Sequence, residues 1–181
     1  MFVKLKNNHS IQPYLFVTGG LNTHYSVEKS GKTVGIGYFG VDIFDPNVFC
    51  NYIPERYIKD FIFQHMKINY RIPPHIDSDI KATLNFYLKT DNCETVFYTI
   101  KENTKSFKFE NQTNGSSYAY DDLNKVDSFV AHNNEVWLLD VTIPHSVETT
   151  QTDIYRHAIV VQTNVYTFHQ VKEILQETGN I

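Results

Sequence analysis

Apolar and polar residues alternate along this chain in short runs, more often with a period of two than of 3.6. Such runs predict strands at Ile11–Val17, Val34–Phe44, Ile68–Ile72, Ala82–Leu88, Thr95–Ile100, Ser106–Phe109, Ser128–Ala131, Glu135–Val141, Ser146–Thr149 and Tyr155–Tyr166. The first is expected to end at Gly19-Gly20, and the second is interrupted by Gly35, Gly37 and Gly40. Two segments read as helices. From Pro54 to Met66, Tyr57, Ile58, Phe61, Ile62 and His65 recur at helical spacing, and Pro54 suits a first helical position. From His169 to Thr178, Val171, Ile174 and Leu175 share one face. Residues 110–126 form a polar loop, and there is no internal repeat. One early helix followed by seven or eight short strands predicts an antiparallel double sheet, closed as a jelly roll that protects its strand edges.

Length and composition narrow this picture only slightly. A chain of 181 residues, 41% apolar and 20% charged, suits one soluble domain with one substantial core. The domain divides into an N-terminal support region (1–66), a jelly-roll core (67–166) and a C-terminal helix (167–181). Thirteen Phe and twelve Tyr favour strands. The net charge of −4 gives no basic footprint, so nucleic acid is not an expected partner. Cys50 and Cys93 are too few for a disulfide framework and match no zinc spacing. The triplets at Asn111 and Asn114 read as polar loop rather than as glycosylation sites. The N-terminus has no apolar leader core, and no apolar run reaches membrane-span length, so a cytoplasmic location without a membrane partner is expected.

The candidate chemistry begins at Arg71-Ile-Pro-Pro-His75-Ile-Asp77. In an extended chain His75 and Asp77 point to the same side, so an imidazole and a carboxylate can meet at one point. Alone this is weak: eight histidines and eleven aspartates give about half such a spacing by chance. His145 follows an apolar strand and a turn at Pro144, and begins the next strand. Taken alone it reads as a half-buried structural histidine. Eleven residues on, Arg156 shares a strand face with Ala158 and Val160, opposite Tyr155, His157, Ile159 and Val161. A core-facing Arg needs a partner, either a structural Asp or Glu or a carboxylate ligand held in a bidentate fork. Thr83, Asn85 and Tyr87 share one face of another strand, as a pocket wall or as a solvent-facing side. Among the other histidines, His132 falls in a turn and His157 faces away from Arg156. His9, His24, His65 and His169 have no partner spacing.

In the order His75-x-Asp77, Tyr87, Cys93-Glu94-Thr95-Val96-Phe97, His145 and Arg156, residues 70–165 resemble the Fe(II)- and 2-oxoglutarate-dependent oxygenases. The resemblance is closest to the prolyl 4-hydroxylase-like branch. The stretch from Glu135 and Trp137 through His145 and Val147 to Arg156 is also similar to the aspartyl/asparaginyl β-hydroxylase and free-proline hydroxylase branches. Asn92-Cys93 stand where Gly-Gly is usual, and Ala158 where a Ser or Thr is usual. The resemblance implies a double-stranded β-helix core and Fe(II) on His75, Asp77 and His145, which would be the catalytic centre. It implies 2-oxoglutarate as cosubstrate, bound by Arg156 and Tyr87 with Asn85 and Thr83 as secondary pocket groups, and O2 as co-reactant. Ascorbate belongs to the same set of expected cofactors. It implies hydroxylation of an amino acid, a peptidyl side chain or another small molecule, with release of succinate and CO2. Two other readings fit the residues: a cupin-like metal enzyme that does not use 2-oxoglutarate, and a non-catalytic jelly-roll interaction module.

Overall fold

A computed structural model describes residues 1–11, 16–27, 33–43, 47–68, 71–108, 115–149 and 156–181. Strands are β1 (Phe2–Lys4), β2 (Phe16–Val27), β3 (Thr33–Ile43), β4 (Ile62–Ile68), β5 (Ile72–Ile76), β6 (Ala82–Lys89), β7 (Glu94–Ile100), β8 (Ser116–Ser117), β9 (Leu123–Val130), β10 (Val136–Leu139), β11 (His145–Glu148) and β12 (Arg156–Thr163). Helices are single turns at α1 (Asn47–Cys50) and α2 (Glu55–Ile58), and a longer α3 (Phe168–Glu177). No described helix is long and apolar enough to cross a membrane.

The strands form two antiparallel sheets, ordered β1-β10-β6-β12-β4-β3-β2 and β8-β5-β11-β7-β9. From β4 to β7, and again from β9 to β12, the chain changes sheet at every step. That winding gives β10-β6-β12-β4 facing β5-β11-β7-β9, a double-stranded β-helix form of jelly roll.

The strands β10, β6 and β12 of the larger sheet are buried on both faces. Leu84, Phe86, Val136, Leu138, Ile159 and Val161 point away from the smaller sheet and pack with Phe49, Ile53, Val171, Ile174 and Leu175 of the helical layer. The opposite face carries Met66, Ile68, Tyr87, Trp137, Leu139, Ala158 and Val160, which pack with Phe97, Phe129 and Val147 of the smaller sheet. Alternation along β6 therefore sorts its residues between two cores rather than between core and solvent. A capping box between Thr167 and Gln170 starts α3, and Val171, Ile174 and Leu175 are buried as the sequence pattern predicts.

Several expected elements differ. The helix predicted from Pro54 to Met66, and with it the supporting N-terminal helix, is one turn at Glu55–Ile58; residues 62–68 are strand β4. A short apolar run fits either period. Here the strand wins because β4 lies between β12 and β3 and pairs with both. Strand β4 thus starts at Ile62, and β1 to β3 ahead of it belong to the same sheet. Gly19-Gly20 do not end a strand: β2 runs to Val27, with a register shift between Gly19 and Leu21 that absorbs the glycines as a bulge. The expected strand at Ile11–Val17 falls partly at 12–15, outside the described residues, as do 69–70 of Ile68–Ile72, where β4 ends and β5 begins. The polar loop is shorter than predicted, because β9 already starts at Leu123. Its residues 110–114 lie outside the described residues, as do Phe109 and Tyr155. Ser106–Phe109 contributes only a single bridge, Phe107 to Ser117.

Candidate metal centre and its cavity

β5 carries two prolines, Pro73 and Pro74, which cannot donate to a ladder and suit a strand near a sheet edge. Only the two-residue β8 lies outside it. β5 pairs with β11 so that His75 stands directly opposite His145. Their ring centroids are 4.4 Å apart. Asp77 follows β5 immediately, and its backbone N–H donates to Val141 O at 3.3 Å. His75 Nε2 lies 3.5 Å from Asp77 Oδ1. One ligand-type atom from each of His75, Asp77 and His145 falls within 4.8 Å of the others. Donors about 2.1 Å from a shared ion stand at most roughly 4.2 Å apart, so the trio is close to the spacing one ion needs.

Hydrogen bonds fix which nitrogens face that point. His75 Nδ1 donates to Pro73 O and His145 Nδ1 to Ile143 O, each at 2.9 Å. Each ring then keeps a lone pair on Nε2, the form a metal takes. Burial, with His75 close by, pulls the His145 pKa below the usual histidine value, which keeps its imidazole neutral. Phe97 stacks on His145 at 5.9 Å between centroids and holds the ring in place. Two imidazoles and one carboxylate on one side of a site suit a non-haem Fe(II) ion with open positions.

The three residues line a cavity of about 50 Å³ between the sheets, which Thr83, Asn85, Thr95, Val160, Gln162 and Arg156 also line. By the yardstick of roughly 10–15 Å³ for one water, the space is small. Arg156 is 2% exposed. Its Nη2 donates to the Tyr87 hydroxyl, and to Thr95 Oγ1 at 2.8 Å. Its guanidinium lies 4.7 Å from the centre of the Tyr87 ring. Asn85 Nδ2 donates to the Tyr87 hydroxyl at 3.2 Å. Arg156 Nε and Nη1, Asn85 Oδ1 and Thr83 Oγ1 are buried without a hydrogen-bond partner.

The alternatives left by the sequence resolve at two points. No structural Asp or Glu pairs with Arg156 among the described residues. Thr83, Asn85 and Tyr87 form a cavity wall, not a solvent face. His157 lies on the other side of β12, packed on His65 at 5.5 Å. His9 is held on the far side of β6 by Tyr87 O and the Ile11 N–H. Three residues of the site escape sequence reading: Thr95 and Gln162, which line the cavity, and Phe97, which stacks on His145. Period-2 alternation could have found them, since Gln162 continues the Arg156-Ala158-Val160 face and Thr95 and Phe97 share a face of β7. Cys50 and Cys93 are not joined in a disulfide, and neither lines this cavity.

No family model and no curated protein sequence matches this chain. Among solved structures it is similar to the vicilin of hazelnut, Corylus avellana, at 11% identity and a TM-score of 0.42. The alignment covers 86% of this chain and 33% of the vicilin chain, so this chain spans about a third of that protein. A likeness of that size carries no argument, and the fold rests on its own strand order.

Proposed function

We propose that this jelly-roll domain is an Fe(II)- and 2-oxoglutarate-dependent oxygenase that hydroxylates an amino acid or peptidyl side chain and releases succinate and CO2. The observation that carries the reading is the pairing of two features in one cavity. A His-Asp-His trio and a buried Arg with two unpartnered nitrogens line the same space. Buried donors without partners cost stability, so a carboxylate that satisfies them is the simplest reason for their place.

His75, Asp77 and His145 would hold the iron. Bound Fe(II) would supply activation of O2, coupled to oxidative decarboxylation of the 2-oxoacid. The chain's own groups set the conditions. The backbone acceptors on both Nδ1 atoms fix the ring orientations, and the neutral His145 is ready to ligate without losing a proton. Arg156 and the Tyr87 hydroxyl hold the far carboxylate, and Thr95 Oγ1 steers the guanidinium. Met66, Ile68, Ile72, Leu139, Val141 and Val147 give the cavity apolar walls that keep bulk water away.

The test is binding of 2-oxoglutarate to the Mn(II)-loaded protein by calorimetry, together with succinate release when Fe(II), O2 and a panel of amino acids and peptides are supplied. Metal-dependent binding that is lost in Arg156→Ala, with no metal uptake in Asp77→Ala, is expected. Metal uptake without any 2-oxoglutarate binding would favour a metal enzyme of another kind. Failure to take up any divalent metal would favour a non-catalytic module.

A further inference from the structure

The polar side chains along the larger sheet extend past the part of the cavity that a five-carbon diacid would fill. On the smaller sheet, His145 pairs with Phe97, and Val147 pairs with Thr95, which binds Arg156. Metal ligand and Arg anchor are thus two strand residues apart, roughly 6.7 Å. This is about the reach of 2-oxoglutarate between its keto oxygen and its far carboxylate. On the larger sheet, Tyr87 lies at the Arg end and Thr83 is four residues along β6, roughly 13 Å away. β10 sets Leu139 opposite Thr83, and Val141 just after it accepts the Asp77 N–H, so Thr83 lies toward the ligand Asp77 and away from the Tyr87–Arg156 pair.

At that end β6 and β12 pair Thr83 with Gln162. Gln162 lines the cavity and donates from Nε2 to Gln64 Oε1 at 3.0 Å. Gln64 sits on β4 opposite Val160, a cavity residue, so it shares the inward face. This pairing leaves the Gln162 carbonyl and the Gln64 amide N–H available. Thr83 Oγ1, on a side chain 5% exposed, is buried with no partner. The cluster offers both a donor and an acceptor and carries no charge. Among the described cavity residues the charged groups are Asp77 and Arg156 with the two triad histidines, and Asp77 and Arg156 already have roles.

We propose that Thr83, Gln162 and Gln64 form the subsite for the main substrate, and that they select a neutral amide group that donates and accepts hydrogen bonds at once. This rests on the oxygenase reading, and it moves Thr83 from the cosubstrate's pocket to the substrate's. A carboxylate or ammonium group would enter this end without a counter-charge and be disfavoured. An ester would leave one donor-seeking group unmet.

The test uses Mn(II)-loaded full-length protein saturated with 2-oxoglutarate. Ligand-observed NMR is run with three matched probe sets: N-acetyl amino acid amides, their methyl esters and their free acids. Amides are expected to bind at least tenfold tighter than the matched esters and acids. Thr83→Val and Gln162→Leu should each remove that preference while 2-oxoglutarate affinity changes less than twofold. Equal binding of amides and esters by the wild type overturns the proposal, as does a Thr83→Val loss of 2-oxoglutarate affinity as large as that of Arg156→Ala. If the wild type does not bind 2-oxoglutarate at all, the oxygenase reading fails instead. Gln162→Glu serves as a second variant that keeps the shape, and it should turn the preference against acids further.

Discussion

Arg156→Met should make the metal-free protein more stable while abolishing its response to 2-oxoglutarate. The wild-type side chain is 2% exposed, has no carboxylate among its described neighbours and leaves Nε and Nη1 without acceptors. Each buried, unsatisfied donor costs about 1–3 kcal/mol, and removing a charge from water costs several more. Against this stand two hydrogen bonds, to the Tyr87 hydroxyl and Thr95 Oγ1. Tyr87 keeps its bond from Asn85 in the variant, so Thr95 is the main group left short. Replacing buried charged groups by apolar ones of similar volume has stabilised other proteins by about 1–4 kcal/mol. At roughly 2–4 °C per kcal/mol for a chain of this size, a gain near 2 kcal/mol raises Tm by about 4–8 °C. Ligand acts in the opposite sense. At a hundred times Kd, 2-oxoglutarate with Mn(II) stabilises the wild type by about 2.7 kcal/mol, again several degrees, and the variant not at all. Differential scanning calorimetry of both proteins, with and without Mn(II) and 2-oxoglutarate, reads the crossing. A metal-free variant destabilised by more than 2 kcal/mol would show that Arg156 is a structural charge, and an undiminished ligand shift would show that it is no anchor.

Two further outcomes follow from the same geometry. Gly115 has φ +79°, and a Cβ there would lie 2.1 Å from Ile76 O, beside the His75–Asp77 segment that β8 braces. Gly115→Ala should cost more than the roughly 1–2 kcal/mol of the left-handed backbone alone and weaken Mn(II) binding at least tenfold by calorimetry, whereas unchanged metal affinity would separate this loop from the ligands. Burial, with His157 and Lys67 nearby, holds His65 down at about 4, below its unfolded value of about 6.5. A depressed histidine contributes stability that is full above pH 6.5 and is lost as the pH falls through about 4. Thermal melts should therefore show a shallower loss between these pH values in His65→Leu than in the wild type, and identical slopes would remove His65 as a source.

The readable and unreadable parts of the fold divide along a physical line. β6, β7, β12 and α3 were legible because each has a clean period and a buried face of its own. β4 was not, since Tyr57, Ile58, Phe61, Ile62 and His65 satisfy a helical spacing and only the two flanking strands make extension the better choice. The triad was legible as an order of residues, not as a geometry. Nothing local shows that β5 and β11 will pair in the register that sets His75 opposite His145. Thr95 and Gln162 were missed because a Thr or Gln on a strand is ordinary until the sheet is known to be covered on both sides.

That double cover is what gives the inward polar residues their meaning. On a sheet with one wet face, Thr83, Asn85, Tyr87 and Arg156 would be unremarked surface groups. Here helices α1 to α3 bury one face and the smaller sheet buries the other, so every polar side chain pointing inward must find a partner or cost stability. Thr83 Oγ1, Asn85 Oδ1 and two Arg156 nitrogens find none, and all of them open on one cavity beside a spare trio of metal-type ligands. Scattered orphans would suggest loose packing. Orphans gathered along one wall, a guanidinium among them and neutral groups beside it, are what the proposed reading of two ligands meeting near one ion requires.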